Sequence, residues 1–118
     1  MNNFRELTVW KRGVKLASRI YLLTSDFPKS EMYGLTSQIR RSAVSISSNV
    51  AEGAGRGSDK DFAKFLRISF GSACELETQL IIANDLDYLN SNDFSSTLKE
   101  LDEIQKMIYT LEKIKREE

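Results

Sequence analysis

The chain has 118 residues, with 17 Lys and Arg balanced by 17 Asp and Glu, one Pro, six Gly, one Cys and no His. That length fits one domain with its own core. The missing histidine removes the commonest general base, the Ser-His and Cys-His nucleophile pairs and most zinc sites, while a lone Cys74 excludes an intrachain disulfide.

The N-terminus, MNNFRELTVWKRG, carries charges where a signal peptide needs its apolar core. No run of about 18 apolar residues supports a membrane span. The expectation is a cytoplasmic protein with no membrane partner.

A first helix is expected over 7–26. Leu7, Trp10, Val14, Ala17 and Tyr21 follow a heptad-like rhythm, and Leu16, Ile20 and Leu23 widen the stripe. Trp10 on that stripe reads as a core or interface anchor. Arg12, Lys15 and Arg19 line the opposite side at helical spacing. Asp26-Phe27-Pro28 ends the helix, because proline lacks the donor for continuation and pushes its predecessor away from α.

The second helix, over 31–53, takes Ser30 as N-cap with Glu31 near its positive end. Gly34 makes an irregular first turn. Two stripes then run together. Ile39, Ala43, Ile46 and Val50 recur at steps of four, three and four on one face. Gln38, Ser42, Ser45, Asn49 and Glu52 repeat the rhythm beside them. An ordinary solvated face would carry Lys and Glu instead. Small polar groups predict a seam wedged between neighbours, formed with Arg41 and, from the third helix, Glu75. Gly53, Gly55 and Gly57 lack the preceding strand and the Gly-Lys-Ser/Thr ending of a phosphate loop. A helix C-cap and tight turn explains them.

The third helix, over 58–89, starts at a Ser58 N-cap with Asp61 in its first turn. Phe62, Leu66, Ser69, Ala73, Leu76, Leu80 and Ala83 trace one face; Phe65, Ile68, Ser72, Gln79 and Ile82 trace a second. Lys60, Lys64 and Arg67 form a basic row. Small residues around Ser69–Cys74 permit close approach of a neighbour, and Cys74 reads as an inert core residue. Asn90-Ser91-Asn92-Asp93 is a turn by composition. The last helix, over 94–116, has Leu98, Leu101, Ile104, Ile108 and Leu111 as its stripe, flanked by Met107 and Ile114. Lys113, Lys115 and Arg116 suit its C-terminal dipole, and Glu117-Glu118 is expected to fray. Four such helices with short connections form an all-α, antiparallel up-down-up-down bundle in a single domain, 1–118.

The neutral total hides an asymmetry. Residues 1–67 hold twelve basic and six acidic side chains; residues 68–118 hold five and eleven. Such segregation supplies either a basic surface for nucleic acid or complementary surfaces for self-association. Arg12, Lys15, Arg19, Lys60, Lys64 and Arg67 are the candidate phosphate contacts, against the plainer reading of solvated faces. Glu52 and Glu75 are the carboxylates worth weighing as acids or bases, with Arg40 and Arg41 as natural partners. A catalytic use needs a second titrating group and a cleft, and the pattern offers neither. Structural pairing accounts for both, so no catalytic residue, metal ligand or cofactor is expected. Gln38, Arg41, Ser45, Asn49, Glu52 and Glu75 read as structural or interface positions.

Four motifs carry a resemblance. Phe-Pro-x-x-Glu-x-Tyr-Gly-Leu from Phe27, Gln-Ile-Arg-Arg from Gln38, Ser-Ile-x-x-Asn-x-x-Glu-Gly from Ser45 and Gly-Ser-x-x-Glu-Leu-Glu from Gly71 stand in this order. The chain thereby resembles the small bacterial four-helix proteins encoded in intervening sequences of 23S ribosomal RNA genes. Phe70 departs from the small residue that pattern more often has there. The resemblance implies a left-handed bundle assembling into a ring-shaped homopentamer. It also implies kinship with accessory proteins of diversity-generating retroelements, which bind nucleic acid and a reverse transcriptase. Two expectations follow: an oligomeric, non-enzymatic bundle contacting RNA or a nucleic-acid-processing protein, or a purely structural module whose opposed charges serve self-assembly.

Overall fold

Helix boundaries follow the local capping chemistry more closely than the apolar rhythm. The computed structural model describes residues 3–117, which form four long helices and, among the described residues, no strand. These are α1 (Thr8–Thr24), α2 (Leu35–Gly55), α3 (Asp59–Asp85) and α4 (Ser91–Glu117), with short 3-10 turns at Phe4–Glu6 and Lys29–Glu31.

Ser58 is extended, at φ −132° and ψ 148°, and its hydroxyl accepts from the Asp61 N–H, so α3 starts as its N-cap predicts. Two other starts differ from expectation. Ser30 lies in the 3-10 turn, and Glu31 caps α2 instead: its Oε1 accepts from Leu35 N at 3.2 Å. The irregular Gly34, at φ −115° and ψ −114°, sits between them. Asn90–Asp93 is the capped start of α4 rather than a turn before it. Asn90 Oδ1 accepts from Asp93 N at 2.8 Å, and Asn90 Nδ2 donates back to Asp93 Oδ2 at 2.8 Å. Asn90 thus acts as an N-cap that satisfies the Asp93 N–H, and the side-chain bond to Asp93 holds its amide in place.

Helix ends also move. The second helix continues through Gly53 to Gly55, and the turn is made at Gly57, whose φ of +86° favours glycine. The third helix stops at Asp85, four residues short of the apolar pattern, because Asp87 takes the left-handed conformation at φ 62°. Glu117 belongs to α4, while Glu118 of the expected frayed end lies outside the described residues.

The core joins all four helices. Ile39, Ala43, Ile46 and Val50 of α2 are fully buried, as are Leu66, Ala73, Leu76 and Ala83 of α3 and Ile104 and Ile108 of α4. Each large aliphatic buried this way stabilises by roughly 1.5–3 kcal/mol. The stripe of α1 is rotated from its expected position. Val9, Gly13, Leu16, Ala17 and Ile20 face inward, whereas Val14 and Tyr21 are exposed. The cause is Gly13, which lies so close to α2 that a Cβ there would stand 3.2 Å from Ser47 Cβ. That approach turns the Gly13 side of α1 inward and Val14 outward.

Contacting helix pairs are numbered in opposite senses: Thr24 meets Arg40 while Gly13 approaches Ser47, Ile46 meets Ser69 while Gly53 approaches Phe65, and Glu77 meets Gln105 while Arg67 meets Glu112. The fourth helix packs against both α1 and α3. No helix among the described residues is long and apolar enough to cross a membrane.

Candidate functional site

The polar stripe of α2 divides into a tied centre and open ends. At the centre, Ser45 Oγ and Ser72 Oγ share a hydrogen bond of 2.8 Å across α2 and α3. Asn49 Nδ2 donates to Ser45 O at 2.8 Å and to its Oγ at 2.9 Å. Ser69 Oγ donates to Ile46 O at 2.7 Å, closing a buried link to the same neighbour. Small side chains permit this approach, and mutual pairing removes the penalty of burying them.

The ends behave differently. Gln38, Arg41, Glu52 and Glu75 are exposed. Glu52 accepts from Arg56 Nη2 at 2.6 Å, with both side chains about half exposed. Arg40 takes no carboxylate among the described residues; its Nε donates to Thr24 Oγ1 at 2.8 Å and its guanidinium lies over the Tyr21 ring. It therefore fastens α2 to α1. Arg41 and Glu75 make no ion pair among the described residues. On α3, seven residues to either side of Glu75, Ile68 and Ile82 are 45% and 44% exposed, an apolar presence that solvent does not favour.

A second outward apolar face lies on α1 and α2. A groove of about 500 Å³ is lined by Val14, Ser18, Tyr21, Leu22 and Val44 among others, and Leu22 is 75% exposed. Sequence reasoning placed Val14 and Tyr21 in the core and so missed this face. Cys74 is likewise exposed rather than a core residue, because the inner stripe of α3 passes through Ala73 and Leu76. Partial burial, and then the charge of Glu77, push its thiol pKa up.

The basic rows are partly consumed within the protomer. Arg12 donates to Glu100, and through Nη2 to Glu103 Oε1 at 2.7 Å. Those hydrogen bonds raise the guanidinium pKa above its usual value, and the same bond from Arg12 holds the Glu103 carboxyl below the usual carboxylate range. Arg67 Nη1 donates to Glu112 Oε2 at 2.9 Å, and Arg19 donates to the Ser96 hydroxyl. The opposed charges of the two halves thus meet in part inside one bundle, because carboxylates of α4 lie against the basic rows of α1 and α3. Lys15, Lys60 and Lys64 remain exposed, with no ion pair among the described residues.

Glu112 escaped the sequence reading. It is only 8% exposed, and the available signal was its position one turn before Arg116. Among the described residues no group of three His, Cys, Asp or Glu is placed to hold a metal ion.

Known proteins share this pattern. The profile of the family described as 23S rRNA-intervening sequence protein matches residues 5–110. A crystal structure from Bacteroides thetaiotaomicron, described as a protein with unknown function from the S23 ribosomal protein family, superposes with a TM-score of 0.79 at 25% identity. The match covers 88% of this chain and 97% of that one. No curated protein matches the sequence.

Proposed function

The chain belongs to the 23S rRNA-intervening sequence protein family, and from that premise we propose that it is a non-enzymatic, cytoplasmic assembly module, a left-handed up-down-up-down bundle that joins copies of itself into a pentameric ring. The opposed numbering of its contacting helix pairs supports that topology. The observation carrying the assembly is the presence of two different outward apolar faces, one around Tyr21 and Leu22 and one around Ile68 and Ile82. A head-to-tail ring needs two distinct surfaces on each protomer, whereas a two-fold dimer needs one. Glu75, exposed and without an ion pair among the described residues, falls midway between Ile68 and Ile82 in α3 and suits the polar rim of the second face.

Sedimentation velocity tests this reading. Leu22→Asp and Ile82→Asp each place a charge on one face, and either alone should lower the sedimentation coefficient of the assembly. Retention of the wild-type value by both variants would overturn the two-face ring.

A second reading, compatible with the first, is contact with RNA or a nucleic-acid-processing protein through the basic N-terminal half. What supports it is the exposure of Lys60 and Lys64, which make no ion pair among the described residues. Salt-sensitive binding of structured RNA, followed by fluorescence anisotropy at low and moderate salt, is its test.

A further inference from the structure

A notch of about 690 Å³ opens between the first turns of α3 and the last turns of α4, lined by Asp59, Lys60, Ala63, Arg67, Lys115 and Arg116. Four of these six residues are cationic. Against them lies the buried Glu112, whose Oε2 accepts from Arg67 Nη1 at 2.9 Å and from Arg116 Nε at 3.1 Å. One carboxylate therefore holds two guanidiniums together, while their side chains stay 55% and 53% exposed. A guanidinium has five donors in a fixed fork, so most of each fork is unused by Glu112.

The other carboxylate of the notch is also matched. Asp59 lies 3.5 Å from Lys115 Nζ, and Lys115 lies over the Phe62 ring. Lys60 is exposed, and Lys64 follows one turn later on α3. Four cations against Asp59 and Glu112 leave an excess of two positive charges.

We propose that this notch binds phosphodiester groups of a nucleic-acid strand, with Arg67, Arg116 and Lys60 as contacts and Glu112 as the positioning residue. The proposal rests on the RNA reading above and locates it. Planar forks held at one edge suit the bidentate oxygens of phosphate better than mobile lysines do. An excess of two charges suits two adjacent phosphodiesters, each carrying one negative charge.

The notch on the other side of α4 provides the contrast. It is smaller, about 400 Å³, and holds Lys15, Arg19 and Lys99 with Glu100. Glu100 is engaged by Arg12, and Arg19 rests on the exposed Ser96 hydroxyl, so no buried carboxylate organises those cations.

The test is anisotropy of a labelled single-stranded RNA titrated with the full chain across a salt series. Lys60→Ala with Arg116→Ala should weaken binding and lower the salt slope by about 1.4, roughly 0.7 for each cation taken from the phosphates of a single strand. Lys15→Ala with Lys99→Ala should leave affinity and slope near wild type. Glu112→Gln should weaken binding although it makes the notch more positive; tighter binding would overturn its positioning role. Loss in the Lys15/Lys99 variant with none in the Lys60/Arg116 variant would overturn the notch and leave the RNA reading standing. Equal losses in both would overturn a localised site. No binding by the wild-type chain would remove both proposals. Wild-type helical content and a cooperative circular dichroism melt above the assay temperature establish that each variant is folded.

Discussion

Gly53 of α2 lies so close to Phe65 of α3 that a Cβ on the glycine would stand 2.7 Å from Phe65 Cβ, with Phe62 O at 3.3 Å. Both obstacles are at or near backbone, so a rotamer change does not relieve them. Gly53→Ala should therefore destabilise the bundle by about 1–3 kcal/mol, the usual range for overpacking. Gly55, in the same helix, has nothing within 4 Å of its ideal Cβ. Gly55→Ala should be neutral or stabilising by up to about 1 kcal/mol, through helix propensity alone. Thermal melts of the two variants check the contrast, and equal shifts would contradict it.

The clamp of Arg12 on Glu100 and Glu103 predicts a pH dependence. The Arg12 hydrogen bond lowers the folded pKa of Glu103. A depressed carboxylate contributes stability above its unfolded pKa and loses it as pH falls through the folded value. The Arg12→Leu variant should thus have a lower urea midpoint at about pH 7, and the gap from wild type should narrow toward about pH 3. A gap that stays constant with pH would place the effect of Arg12 in its packing against Met107, not in its charge.

Tyr88 titrates in the opposite direction. Its hydroxyl donates to Glu31 Oε2 at 2.9 Å, and that bond, with burial and the Glu31 charge, raises the phenol pKa. The same carboxylate caps α2 through Leu35 N. A raised folded pKa contributes stability below the unfolded value, lost as pH rises through the folded one. Ultraviolet titration should find one tyrosine above the ordinary value of about 10, absent in Tyr88→Phe. The stability gap between the two proteins should close at high pH.

Glu112 and Glu52 should separate cleanly. Glu112 is buried and holds two arginines, so Glu112→Ala is expected to cost about 1–2 kcal/mol, reduced from the full charged-bond range because both partners are half exposed. Glu52 makes an exposed i,i+4 pair with Arg56, and Glu52→Ala should change stability by no more than about 0.5 kcal/mol. Chemical denaturation of both variants measures the difference.

Much of the fold was legible because its signals are local. The four-step and three-step apolar spacing of Ile39, Ala43, Ile46 and Val50 survives into a fully buried row, and Ser58 caps α3 as its residue type suggests. The stripe of α1 was misread because Leu7, Trp10, Val14 and Tyr21 also repeat at helical spacing. The deciding term was tertiary: the contact of Gly13 with Ser47 fixes which side of α1 turns inward. The polar seam was half legible. Ser45, Asn49 and Ser72 are paired inside the bundle, whereas Gln38, Arg41, Glu52 and Glu75 lie at its surface, a distinction that periodicity does not carry. The basic rows were visible as charges, but their pairing depends on α4, more than 80 residues away from Arg12 in sequence.

The most direct measurement is the mass of the wild-type chain in solution by native mass spectrometry with light scattering. The proposed ring predicts a species of five times 13.5 kDa, reduced to smaller species by Leu22→Asp. A wild-type chain that stays at 13.5 kDa up to the highest soluble concentration would contradict assembly through these faces.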